Sequence, residues 1–238
     1  MAIYDSMTLL QNRLQRVYDR IHQAEQACSR DGQVQLLAVS KTKPASMVRE
    51  AWHLGQKHFG ESYLQEALDK IKELSDLPDI YWHFIGQIQS NKTRDISNHF
   101  DWVHSVDRIK VAQRLSDQRP DGLPPLNICL QVNISGEDTK SGIYLQALPS
   151  LVQSISSLPK LKLRGLMAIP APDTNTEKQC EPFRVLNNTL HTLNEKFFLN
   201  MDTLSMGMTD DLEAAIQGGS TIVRIGNALF GSRSYSNG

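Results

Sequence analysis

The sequence predicts an α/β fold: a single parallel (β/α)8 TIM-type barrel with an extra N-terminal helix. Three observations predict it. Eight short apolar runs alternate with longer amphipathic or capped stretches, and strands joined in that way form a parallel sheet that closes at eight. The 238 residues suit one α/β barrel, a fold of about 200–250 residues. An open doubly wound sheet fits less well, because no GxGxxG opens the first helix after a strand.

The elements follow in order. A leading helix is expected over residues 6–28, capped by Asp5 or Ser6, with Leu9, Leu10, Leu14, Val17, Tyr18 and Ile21 at helical spacing. Gly32 suits the reversal that follows. Strands are expected at residues 36–39, 57–59, 81–85, 102–105, 127–133, 161–167, 203–205 and 221–225. Helices are expected between them at 44–54, 62–74, 91–97, 107–118, 144–156, 176–198 and 210–217. Pro44 fits a first helical turn, where its missing N–H is no loss. Ser62 and Asp107 are expected caps. The stretch DQRPDGLPP at 117–125 has the composition of a linker, but the alternation runs straight through it. It reads as a connection inside one domain spanning 1–238, with the barrel at 34–235.

Composition narrows the function classes. Lys plus Arg is 25 and Asp plus Glu is 26, a net charge of −1, which exerts no global pull toward nucleic acid or an anionic membrane. No run approaches the roughly 20 apolar residues of a membrane span, and the first residues lack an apolar signal core, so a cytoplasmic location is expected. Cys28, Cys129 and Cys180 are far apart with no CxxC, and read as reduced thiols. Seven histidines show no HxH or HExxH spacing, so no metal is expected. His83, after Trp82 in an apolar run, reads as a satisfied core histidine. Neither GxSxG nor a Walker A string occurs.

A barrel of this type carries its site at the carboxyl ends of its strands. Lys41 ends the first run and points at the mouth, where desolvation would free its amine for Schiff-base chemistry; Lys43 reads as a solvated loop lysine. After the seventh run stand Ser205, Gly207 and Thr209, and after the eighth Arg224, Gly226 and Asn227. Phosphate sites in this fold often form at those two places. Ser205 and Thr209 supply hydroxyls, while Gly207 and Gly226 let backbone N–H groups approach an anion. Taken singly, Thr209 and Asp210 could merely cap the next helix and Gly226 merely make a turn; together they point to a phosphate group. The basic helix start at 89–94 fits a solvated, capped face, or a surface for an anion or partner.

Eight strings stand in order along the chain: LAVSKTKP at 37–44, FGESY at 59–63, WHFIG at 82–86, QSNK at 89–92, KSG at 140–142, GLMAIP at 165–170, SMGMTDD at 205–211 and VRIG at 223–226. In this combination the chain resembles the pyridoxal phosphate homeostasis protein family from about residue 36 to 235. The resemblance implies a barrel similar to the N-terminal domain of alanine racemase. It implies pyridoxal 5′-phosphate held by Lys41 as an internal aldimine, with Ser205, Thr209, Gly226 and Asn227 at the phosphate and Arg224 facing the pyridine nitrogen. Two positions depart from the family pattern. Ser62 stands where the family usually has Asn, which shortens or water-bridges a polar contact. Asn227 stands where Thr or Ala is frequent, a change that a main-chain phosphate contact survives.

Arginine is a donor only, so a ring nitrogen facing Arg224 stays unprotonated and the ring is a poor electron sink. Transamination and decarboxylation are then disfavoured. An amino-acid racemase is the serious rival, since alanine racemase is similar in fold and uses such an arginine. Racemisation needs acid–base groups on both faces of the α-carbon, and in alanine racemase the second comes from a partner subunit's additional β-domain. Here the whole chain is spent on the barrel, Tyr63 falls in the helix after the second strand, and Tyr235 falls in the tail. The expectation is therefore not an enzyme. It is a monomeric carrier that keeps pyridoxal 5′-phosphate sequestered, acts in vitamin B6 and amino-acid homeostasis, and passes the cofactor to apo-enzymes that depend on it.

Overall fold

The apolar runs form eight strands, and each pairs in parallel with its neighbour until the last returns to the first. In the computed structural model, residues 2–231 are described, 2–8 and 176 by backbone alone. The order is α1 (Ala2–Ala27), β1 (Gln35–Val39), α2 (Ala45–His53), β2 (His58–Glu61), α3 (Leu64–Glu73), β3 (Tyr81–Phe84), α4 (Thr93–His99), β4 (Trp102–Val106), α5 (Ile109–Gln118), β5 (Leu126–Gln131), α6 (Leu148–Ile155), β6 (Leu161–Met167), α7 (Thr176–Phe197), β7 (Thr203–Ser205), α8 (Leu212–Gln217), β8 (Ile222–Ile225) and α9 (Asn227–Phe230). The sheet is a closed barrel in chain order. It is sealed where Leu37 faces Arg224 and Ala38 faces Ile225 across β1 and β8.

Side chains alternate between the two faces of each strand, which separates two kinds of interior. Outward positions such as Leu36, Ala38, Phe59, Val103, Val223 and Ile225 merge with the apolar faces of the helices into one large core. Inward positions form a second, small apolar cluster of Leu37, Trp102, Cys129, Met167 and Ile222, with Ile85 packed on it. His58, His83, His104, Ser205 and Arg224 share the lumen with this cluster. The leading helix α1 lies against α8 and α9, burying Leu10, Leu14, Val17 and Ile21. Its Arg20 pairs with Glu213 at 2.8 Å and donates to the Thr209 carbonyl at 2.9 Å, so the extra helix braces the loop after β7.

All eight expected strands are present; the helix starts differ. α1 begins at Ala2, so Asp5 and Ser6 lie inside the helix instead of capping it; residues 2–27 contain no Gly or Pro to stop it earlier. Pro44 is the N-cap of α2, just before the first turn. α3 starts after Tyr63, which leaves Ser62 and Tyr63 in the connection from β2. Asp107 pairs with Arg108 at 2.7 Å rather than capping α5. Three-residue 3-10 turns, Ser90–Lys92 and Leu145–Ala147, lead into α4 and α6. The four-residue α9 was not expected, because one turn is too short to show a period in sequence. Tyr235 lies outside the described residues. Among the described residues, no helix is long and apolar enough to cross a membrane, and no cluster of His, Cys, Asp or Glu could hold a metal ion.

Candidate functional site

Lys41 stands two residues beyond β1 in a turn that is held from both sides. Thr42 adopts a left-handed φ of 65°, an outlying conformation for a β-branched residue. Its N–H donates to Glu66 Oε1 at 2.6 Å. The ammonium of Lys70, 5% exposed, donates to the Ser40 carbonyl at 2.7 Å, to Glu61 Oε1 at 2.8 Å and to Glu66 Oε1 at 2.5 Å. The Ser40 hydroxyl donates to Glu61 at 2.6 Å. Burial pushes the Glu61 carboxyl upward in pKa while Lys70 pulls it down, and the net direction is up. The buried clamp thus fixes the backbone on each side of Lys41 and leaves the lysine side chain half-buried on the wall of a cavity.

That cavity measures about 370 Å³. Val39, Ile85 and Met167 from the strand ends make its apolar side, and Lys41, Ser62, Thr209, Asp210, Arg224, Gly226 and Asn227 its polar side. Behind the wall, Gly207 has φ +100°, and a Cβ there would come 2.5 Å from the Ala215 Cβ, so no other residue fits without displacing α8. The next N–H, of Met208, donates to Asp211 at 2.6 Å. Gly226 opens α9, and a Cβ on it would sit 3.3 Å from the Val39 carbonyl oxygen. The Leu229 and Phe230 N–H groups both donate to the Gly226 carbonyl at 2.9 Å, and the earlier N–H groups of a first helical turn have no partner within the helix; those donors stand beside the exposed Asn227 and the half-buried Thr209.

Arg224 is 5% exposed. Its Nη1 donates to Ser205 Oγ at 2.9 Å and its Nη2 to the Ala168 carbonyl at 3.1 Å, which leaves the other N–H donors of its five for the cavity. Burial lowers its pKa to about 10, so it stays charged at neutral pH.

The barrel therefore brings Lys41, Thr209, Arg224, Gly226 and Asn227 onto one cavity wall. It does not bring Ser205 or Gly207 there. The Ser205 side chain is fully buried, one layer beneath, with its hydroxyl between Arg224 and His104 Nδ1 at 2.7 Å. Gly207 supports the loop from behind, its carbonyl accepting the Arg224 N–H at 2.9 Å. His83 is a core histidine bonded at both ring nitrogens, as its place in an apolar run predicts. His58 and His104 were missed; the available signal is that three successive strand runs each carry one histidine. Cys129 faces the lumen, where burial pushes its thiol up to about 12 and leaves it unreactive. The basic segment after β3 lines a separate cavity of about 550 Å³, where Lys92 and Asp95 stand with Tyr63 and the shared Ser62.

The model of the family described as alanine racemase, N-terminal domain, matches residues 13–234. A pyridoxal phosphate homeostasis protein of Pseudomonas aeruginosa is 59% identical over 230 residues, 96% of this chain and 98% of that protein. The solved structure of PipY of Synechococcus elongatus with PLP bound is 35% identical, with a TM-score of 0.83 over 93% of this chain and 100% of that one. Alanine racemase of Corynebacterium glutamicum shares the fold, with a TM-score of 0.68 at 16% identity over 97% of this chain and 63% of that one.

Proposed function

The chain belongs to the alanine racemase N-terminal domain family and, within it, to the pyridoxal phosphate homeostasis proteins; from that premise we propose that it binds pyridoxal 5′-phosphate at Lys41 and keeps it without conventional catalysis. One observation carries this: a primary amine, a charged guanidinium and two loops rich in phosphate donors meet on one cavity of about 370 Å³, within the roughly 300–1,000 Å³ of small-molecule sites. When bound, the cofactor supplies an aldehyde that condenses with an amine. Lys41 presents that amine from a clamped turn. Thr209, Gly226 and Asn227 bind the phosphate through a hydroxyl and the first-turn N–H groups of α9. Ser205, with its hydroxyl already engaged beneath the cavity, leaves the phosphate set and becomes the support of Arg224.

Arg224 can only donate. It orients a ring nitrogen that accepts, and so keeps a proton off that atom and weakens the ring as an electron sink. The described wall of the cavity offers one amine, Lys41, and one carboxylate, Asp210, with no Tyr, His or Cys. Tyr63 lines the neighbouring cavity instead. That donor set suits retention of the cofactor better than proton exchange on both faces of a substrate. We read the protein as a cytoplasmic monomer that delivers the cofactor to apo-enzymes. Its exposed large apolar side chains, among them Leu9, Tyr81, Ile109 and Phe198, come from different elements of the chain.

The test is the visible absorption spectrum of the purified protein before and after borohydride. A band that borohydride fixes, with the cofactor mass retained on the peptide carrying Lys41, is expected. Full cofactor stoichiometry in Lys41→Ala would overturn the assignment. Rapid deuterium exchange at the α-carbon of an added amino acid would favour a racemase instead.

A further inference from the structure

Three consecutive strands each turn one histidine into the barrel lumen: His58 in β2, His83 in β3 and His104 in β4. His58 Nδ1 lies 3.0 Å from His83 Nε2, and His83 Nδ1 lies 2.9 Å from His104 Nε2. His104 Nδ1 lies 2.7 Å from Ser205 Oγ, which also accepts from Arg224 Nη1 at 2.9 Å. An unbroken hydrogen-bonded line thus runs from the first residue of β2, at the rim opposite the site, to the guanidinium in the cavity wall. We propose that His58, His83 and His104 are positioning residues for Arg224, a one-directional column with the proton on Nε2 of each ring that aims the Ser205 hydroxyl and holds the guanidinium toward the cofactor. The role assigned to Arg224 rests on the cofactor reading above.

The direction follows from donor counting. Arginine cannot accept, so Ser205 Oγ accepts from Arg224. The hydroxyl is fully buried, its proton needs an acceptor, and the other partner of Oγ among the described residues is His104 Nδ1. His104 therefore carries its proton on Nε2 and donates to His83 Nδ1. His83 in turn donates from Nε2 to His58 Nδ1. The outer Nε2–H of His58 ends the line at the half-buried rim, where the ring stacks on the exposed Tyr81 at 4.6 Å and 11°. Trp102 stacks on His83 at 5.4 Å and 10° and holds the middle ring flat. Reversing the column strands the Ser205 proton without an acceptor. Burial also keeps the rings uncharged: His58 is lowered to about 4, His104 to about 3, and His83 well below its ordinary value. A neutral column can stand beside Arg224 without repelling it.

A polar network that merely filled the lumen would not care about proton direction or reach the cofactor, and two measurements separate the cases. Nitrogen-15 NMR of the full chain without cofactor is expected to show Nε2–H, unprotonated Nδ1 signals for all three rings. Nδ1–H or mixed signals would overturn the direction. In cofactor-loaded protein, His104→Leu removes the acceptor of the Ser205 proton, whereas His104→Asn offers an oxygen near the position of Nδ1. A shifted absorption band and cofactor loss faster by on the order of tenfold are expected for His104→Leu, with near-normal behaviour restored by His104→Asn. If both variants match the unsubstituted protein in spectrum and release, the positioning role is wrong. If His104→Leu does not fold, His58→Phe replaces it: the ring can still stack on Tyr81 and the acceptor of the His83 Nε2–H is gone, so the His83 Nε2–H signal should shift while its tautomer, set from the Ser205 end, is kept; an unchanged His83 spectrum or a reversed tautomer counts against the column. A failed cofactor reading shows itself differently, as an unsubstituted protein with no fixable band, and leaves the NMR result standing.

Discussion

The two faces of the same barrel strands are built by different rules. Outward, side chains such as Phe59, Val103 and Val223 pack with the helices into an apolar shell. Inward, a small apolar cluster shares the lumen with three histidines, a serine and an arginine linked in series. An apolar contact is non-directional and tolerates a swap of similar volume at a cost of less than about 1.5 kcal/mol. A hydrogen-bonded series is directional, and removing one member strands its buried neighbours. The shell therefore sets whether the barrel forms, and the lumen sets where Arg224 points.

Four changes test that division, from the largest effect to the smallest. Lys41→Ala should abolish covalent cofactor attachment completely, measured by mass spectrometry after borohydride, while the melting temperature of the cofactor-free protein stays nearly constant because the side chain is half-buried at the mouth. Phe59→Ala, at a fully buried shell position, should cost about 3–5 kcal/mol in denaturant unfolding, with an unaltered cofactor band in the molecules that remain folded. If Phe59→Ala instead shifts the band as much as His104→Leu does, shell and lumen are not separable.

Thr209→Val comes next. It should weaken cofactor retention by roughly two- to tenfold, the worth of one hydrogen bond, read as the release rate to an excess of an acceptor apo-enzyme. The smallest effect is the pH slope. A histidine kept neutral by burial titrates below its ordinary 6.5, so the unfolded chain takes up protons first. The stability the column contributes is complete above about pH 6.5 and falls as pH drops toward about 4 for His58 and about 3 for His104. Glu61, Asp101 and Asp211 are shifted upward by burial and oppose this trend. The difference in slope between the unsubstituted protein and His58→Phe, taken from unfolding midpoints over that range, isolates the histidine; identical slopes would count against a neutral His58 in the fold.

Much of the site was legible where a local rule applied. The place of Lys41 on the cavity wall follows from its position after an apolar run, and that of Thr209, Gly226 and Asn227 from theirs after the seventh and eighth runs. Ser205 lies beneath that wall, where no local rule places it. It is the last residue of β7, and strand parity turns it into the lumen, where its hydroxyl bonds to Arg224 and His104. The capping roles of Ser62 and Asp107 failed likewise: each sits in a connection at the barrel mouth, and tertiary position overrode local preference, putting Ser62 on the cavity wall and Asp107 beside Arg108. The clamp of Glu61, Glu66 and Lys70 beneath Lys41 left no trace beyond two carboxylates and a lysine near β2 and in α3.

The eight alternating strands, the leading helix and a lysine just after β1 are written in local pattern, because periodicity, strand length and strand ends are properties of neighbouring residues. The line through His58, His83, His104, Ser205 and Arg224, and the place of Ser205 beneath the cavity, arise from the assembled barrel. Those relations depend on barrel closure and inter-strand register, which set contacts of 2.7 Å between residues as far apart in sequence as His104 and Ser205, and no local pattern of residues encodes a distance of that kind.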